Sequence, residues 1–96
     1  MTNYAVQVFG PGAGATVAVS GSASAATDVG AGTSRVALIS TTDMHIRFGI
    51  AGVTSATSDL LIPAKTLVIF DIVNANHFFS AIQDSAAGTI TWAAVQ

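Results

Sequence analysis

The sequence has no cysteine and no glutamate, a single lysine, and only eight charged residues in 96. Without cysteine, disulfides and thiolate metal ligands are excluded and the redox compartment is unmarked. A soluble domain of this length ordinarily carries about 24 charged residues. Ser, Thr, Gly and Ala stand in their place here, which implies that much of the surface lies against other protein. The formal net charge is −2 and Arg35, Arg47 and Lys65 form no cluster, so nucleic acid is not an expected partner. Long apolar runs are missing too. The Ala-rich stretch 13–31 is interrupted by Ser, Thr, Gly and Asp28, so it is no membrane span and no membrane partner is expected. The first residues, Met1-Thr2-Asn3-Tyr4, lack the positive region that opens a secretory signal, and export by the general pathway is not expected.

What is present is the vocabulary of short strands. A chain of 96 residues implies one domain, burying roughly 60% of its unfolded surface. From Ser34 onward, six segments are rich in β-branched or aromatic residues: Arg35–Ser40, Met44–Phe48, Leu60–Ile62, Leu67–Val73, His77–Gln83 and Thr89–Val95. Turn residues separate them at Thr42-Asp43, Gly49 to Gly52, Pro63-Ala64, Asn74 to Asn76 and Asp84 to Gly88. No window sustains a helical repeat. The expected fold is all-β: a small antiparallel sandwich, jelly roll or barrel. Residues 1–96 are one β domain, with 35–96 as its compact core. Residues 10–34 are dominated by Gly, Ala, Ser and Thr, and each glycine costs about 1 kcal/mol in a helix interior. They are expected to form an extended arm or loose hairpin, after a first strand near Tyr4–Phe9.

Alternation assigns faces. In Met44–Phe48, Met44, Ile46 and Phe48 share one side, with His45 and Arg47 on the other. Ile90 and Trp92 share a face, with Thr91 opposite. Leu67–Val73 is apolar on both faces, which places it either centrally in a sandwich or beneath a neighbouring subunit. His77-Phe78-Phe79 also carries bulk on both sides. Such material favours a homo-oligomer, dimer or trimer, and the candidate interface residues are Asp71, Leu67, Ile69, Phe79 and Arg47.

The inventory for acid–base or metal chemistry is five aspartates and two histidines. His45 and His77 belong to no spaced ligand motif, and His45 is expected to face solvent beside Arg47. No Gly-x-Ser-x-Gly elbow frames a serine. Gly10-Pro11-Gly12-Ala13-Gly14 lacks the Lys-Ser/Thr ending of a phosphate loop. Asp43, Asp59 and Asp84 sit where aspartates bond turn backbone, and Asp28 lies in the Gly-rich region. Asp71, within the most apolar strand, is expected to be buried and paired with Arg35 or Arg47. The aromatics Phe48, Phe70, Phe78, Phe79 and Trp92 fall on strands, where core packing outweighs a carbohydrate platform. Enzymatic activity, a metal and a cofactor are therefore not expected.

Met44-His45-Ile46-Arg47-Phe48-Gly49 is a strand ending in an Ile-Arg-Phe-Gly turn. A variable Ala/Thr/Ser stretch follows, then Leu60-Leu61-Ile62-Pro63-Ala64-Lys65, a hydrophobic strand, and Ala87-Gly88-Thr89-Ile90-Thr91. This order, over roughly residues 35–96, resembles small β-rich structural proteins of tailed bacteriophages. Lys65 stands where that pattern favours glycine, so the turn type there stays open. The resemblance implies a virion component on the capsid surface, made in the host cytoplasm. It would be a decoration or cement protein whose partner is the major capsid protein. The alternative is a tail or fibre-tip β-domain that binds other virion proteins or host glycans.

Overall fold

Short runs of β-branched and aromatic residues, each closed by turn chemistry, produce eight strands over residues 14–95, the part of the chain that the computed structural model describes. They are β1 (Ala15–Val19), β2 (Thr27–Asp28), β3 (Arg35–Ser40), β4 (Met44–Gly49), β5 (Leu60–Ile62), β6 (Val68–Asp71), β7 (Phe78–Gln83) and β8 (Gly88–Ala94). A single 3-10 turn, Asn74–Asn76, joins β6 to β7. The six segments expected after Ser34 all form strands. The strand expected near Tyr4–Phe9 lies outside the described residues.

The strands make two antiparallel sheets, ordered β1-β8-β3-β6 and β2-β7-β4-β5. The pairs β1 with β8, β2 with β7, β3 with β6 and β4 with β5 nest inside one another. That nesting is the strand order of a jelly roll, in which one long antiparallel ribbon is rolled into a sandwich. The β4–β5 connection alone stays within one sheet; every other connection between these strands crosses from sheet to sheet.

The inner faces meet in a core of Val19, Val29, Val36, Leu38, Met44, Ile46, Ile62, Phe79, Ala81 and Ile90. Four aromatic rings link the sheets: Phe70 packs on Phe48 (5.2 Å between centroids), Phe48 on Phe79 (5.7 Å), and Phe79 edge-on against Trp92 (6.1 Å). Such tilted and edge-on contacts add to the apolar burial itself. At the start of β8, Thr89 N–H donates to Thr41 Oγ1 (2.9 Å) and Thr41 N–H to the Thr89 carbonyl (3.0 Å). The threonine side chains press so closely on β8 that a Cβ at Gly88 would run into the hydroxyls of Thr41 and Thr42. Lys65, in the turn between β5 and β6, holds φ of 58°, in the left-handed region where glycine is favoured.

One expectation changes. Of the expected arm 10–34, residues 10–13 lie outside the described residues and 14–34 are not set apart from the core. β1 pairs along its whole length with β8, β2 pairs with β7, and Val19 and Val29 are buried. The physical reason is that a few valines suffice when the partner strands supply the rest of the hydrogen bonding and cover. Of the two placements open to Leu67–Val73, the central one is excluded: β6 is an edge strand paired with β3. Val68 and Phe70 face the core, whereas Ile69 and Asp71 point away from it.

Candidate functional site

Strand alternation turns the outer side of the β1-β8-β3-β6 sheet into a surface almost without charge. The register lays it out in rows. Thr16, Thr91 and Ile39 form one row; Ala93, Ala37 and Ile69 the next; Arg35 and Asp71 close the end. Leu67 enters β6 beside Ile39. Ile39 and, just before β6, Leu67 are exposed on this face; Leu60 and Leu61 on β5 and Ile50 and Val73 in connections are exposed as well. No described strand lies over this face.

The outer side of the other sheet is covered over β4 and β7, while Leu61 on its edge strand β5 stays 44% exposed. The β4–β5 connection, residues 50–59, folds back over β4 and β7. Ser55 N–H donates to Ser80 Oγ (3.1 Å), and Ser80 Oγ–H donates to the Ser24 carbonyl (2.7 Å). Ser55 and Ser80 are buried, with their hydroxyls 3.1 Å apart. Arg47 grips Asp59 Oδ1 through Nε (3.0 Å) and Nη2 (2.8 Å), and Asp59 Oδ2 accepts the Ala56 N–H (2.8 Å). The guanidinium first, and that amide second, hold the Asp59 carboxyl below its usual range.

His45 does not face solvent as expected. It occupies the polar face that alternation assigns it, but the covering connection buries it. Its Nδ1 lies 2.9 Å from the Asp59 carbonyl and its Nε2 2.8 Å from Asp84 Oδ1. The carbonyl and then the carboxylate raise its pKa.

Of the candidate interface residues, the fold brings Leu67, Ile69 and Asp71 together on the uncharged face. Phe79 is fully buried between the sheets and offers no surface. Arg47 lies on the opposite side of the sandwich, engaged with Asp59. Asp71 pairs with Arg35 at 3.0 Å, one of the two arginines expected, but is 81% exposed and not buried. At the end of an edge strand it keeps its hydration, and such exposed pairs add about 0–1 kcal/mol. Sequence reasoning missed Ile39, Ala37 and Ala93. β3 is apolar on both faces and Ala93 and Ala37 are small, so only the sheet order reveals which face stays open.

Each aspartate has an internal partner. Asp28 accepts from Gly30 N–H (2.8 Å) and meets His77 Nδ1 (2.7 Å), contacts that lower its pKa in that order. Asp43 Oδ1 accepts the Ala64 N–H (2.7 Å). Asp59, Asp71 and Asp84 pair with Arg47, Arg35 and His45. Among the described residues no three metal-ligating side chains cluster. An open depression of about 300 Å³ beside the end of β8 is lined by Ala31, Gly32, Thr33, Ser34, Ala94 and Val95, without an acid or base. No helix of the described residues is long and apolar enough to cross a membrane. Comparison with known proteins finds no matching family model, curated protein or solved structure.

Proposed function

We propose that this chain is a non-enzymatic structural protein of a tailed-bacteriophage virion, a decoration or cement protein that binds across neighbouring major capsid subunits. The contact surface is the outer face of the β1-β8-β3-β6 sheet. The observation that carries this reading is the open, uncharged character of that face, whose single charged couple, Arg35 and Asp71, is paired within the chain. A sheet face so poor in charge is suited to lie against other protein. The inner faces of the sheets are filled by apolar side chains, and the aspartates are committed to turns and ion pairs. Phe48, Phe70, Phe79 and Trp92 are committed to the core, which weighs against a glycan-binding platform.

The size of the face favours repetition. Four strands about 4.8 Å apart and five residues long cover roughly 300 Å². A stable pairwise interface needs about 800 Å² per partner. One copy therefore grips weakly, and a dimer or trimer seated at neighbouring sites on a shell gains by multivalency. The test is co-sedimentation with shells assembled from the major capsid protein encoded beside this chain. The wild type should sediment with them, and Ile39→Lys together with Ile69→Lys should lower binding at least about tenfold, with unchanged circular dichroism, since each lysine buries a charge. Absence of wild-type binding, or binding untouched by both lysines, overturns the proposal; capture by tail structures or by a saccharide supports the tail alternative.

A further inference from the structure

We propose that His45 is an imidazolium in the folded protein and acts as a cationic latch, holding the β4–β5 connection and the turn after β7 against β4 until the ring loses its second proton. The argument rests on what surrounds the ring. A backbone carbonyl only accepts hydrogen bonds, so Nδ1, 2.9 Å from the Asp59 carbonyl, must carry a proton. An ionised carboxylate also only accepts, so Nε2, 2.8 Å from Asp84 Oδ1, must carry one as well. Both positions filled is the cation.

The neighbourhood suits that charge. Asp59 faces the ring from the connection, Asp84 from the turn after β7, and Arg47 lies two residues along β4, bound to Asp59. The cross-strand neighbours, Leu61 on β5 and Ile82 on β7, are uncharged. Two cations thus meet two anions, and the cluster is balanced only when His45 is charged. A neutral ring, itself buried, would turn a bare nitrogen towards either the Asp59 carbonyl or the half-exposed Asp84 carboxylate, setting acceptor against acceptor. The Asp59 contact holds the connection at its far end, while the Asp84 contact holds the turn that leads into β8. One proton therefore governs two loops.

The raised pKa of His45 agrees in direction. A folded-state value above the ordinary 6.5 means that the latch contributes fully below pH 6.5 and is lost as pH rises through the folded value. Within that window the opening equilibrium of the connection should rise about tenfold per pH unit.

The direct test is nitrogen NMR of the full chain, with His45 assigned by comparison with His45→Gln. At pH 6.5 a larger share of the ring should carry both protons than in a free histidine at that pH, whereas an equal or smaller share overturns the proposal. Amide hydrogen exchange gives a second readout. Exchange at Ala56 and Asp59, corrected for base catalysis, should accelerate as the ring titrates. In Asp84→Asn the side-chain amide can donate to a neutral Nε2, so the loops stay closed, the ring titrates lower and the pH-dependent opening disappears. If Asp84→Asn changes neither the titration nor the opening, Asp84 is no part of a latch and the proposal fails.

Discussion

Lys65 holds a backbone conformation that presses its Cβ towards the following carbonyl, at a cost of about 1–2 kcal/mol for an L residue. Its N–H donates to the Ser40 carbonyl (2.7 Å), so the turn is tied to β3 and does not relax. Lys65→Gly should therefore raise stability by up to about 1 kcal/mol, part of the relief being offset by the entropy of glycine in the unfolded chain. Lys65→Ala keeps the strain and should gain nothing. Urea midpoints of the two variants, side by side, check this. That a turn lies here is legible from Pro63-Ala64. The surroundings of His45 are less legible. Alternation places it opposite Met44 and Ile46, but its burial is caused by a connection whose path no local rule describes.

For whole elements, legibility follows composition. β3 to β8 are visible because β-branched and aromatic runs end at Gly, Pro, Asn or Asp. β1 and β2 are made of Ala, Thr, Val and Asp amid glycines, and their structure is decided by what they pair with. Val17 lies opposite Ile90, and Thr27 opposite Phe79, more than fifty residues away. The edge position of β6 is hidden for the same reason, since apolar residues on both faces describe a central strand and an open edge equally well. If β1 and the stretch around β2 belong to the core, Val19→Ala and Val29→Ala should each destabilise by about 1–3 kcal/mol, from lost burial and the cavity left behind. Chemical denaturation measures this directly. A detachable arm would tolerate both changes with no shift in midpoint.

At the scale of the molecule, nearly all pairing is between distant segments, and such topologies fold slowly, in milliseconds to seconds. The single tryptophan, Trp92, sits edge-on to Phe79 across the two sheets and so reports their closure. Refolding followed by its fluorescence should coincide with the return of β circular dichroism in one exponential phase, because neither sheet buries its inner face without the other. A fluorescence change that lags well behind the circular dichroism would show sheets forming before they pack. The nested pairing has a further consequence during synthesis. β2, β4, β5 and β7 all lie between Thr27 and Gln83, so one sheet is complete once β7 has left the ribosome. The other sheet has β8 between β1 and β3, and Ala15 waits for Trp92. Until those last residues emerge, β1 is an unpaired template and the first sheet's apolar face is bare. A nascent chain in that state is exposed to pairing with its neighbours on the same message, and chaperone binding should peak just before β8 appears.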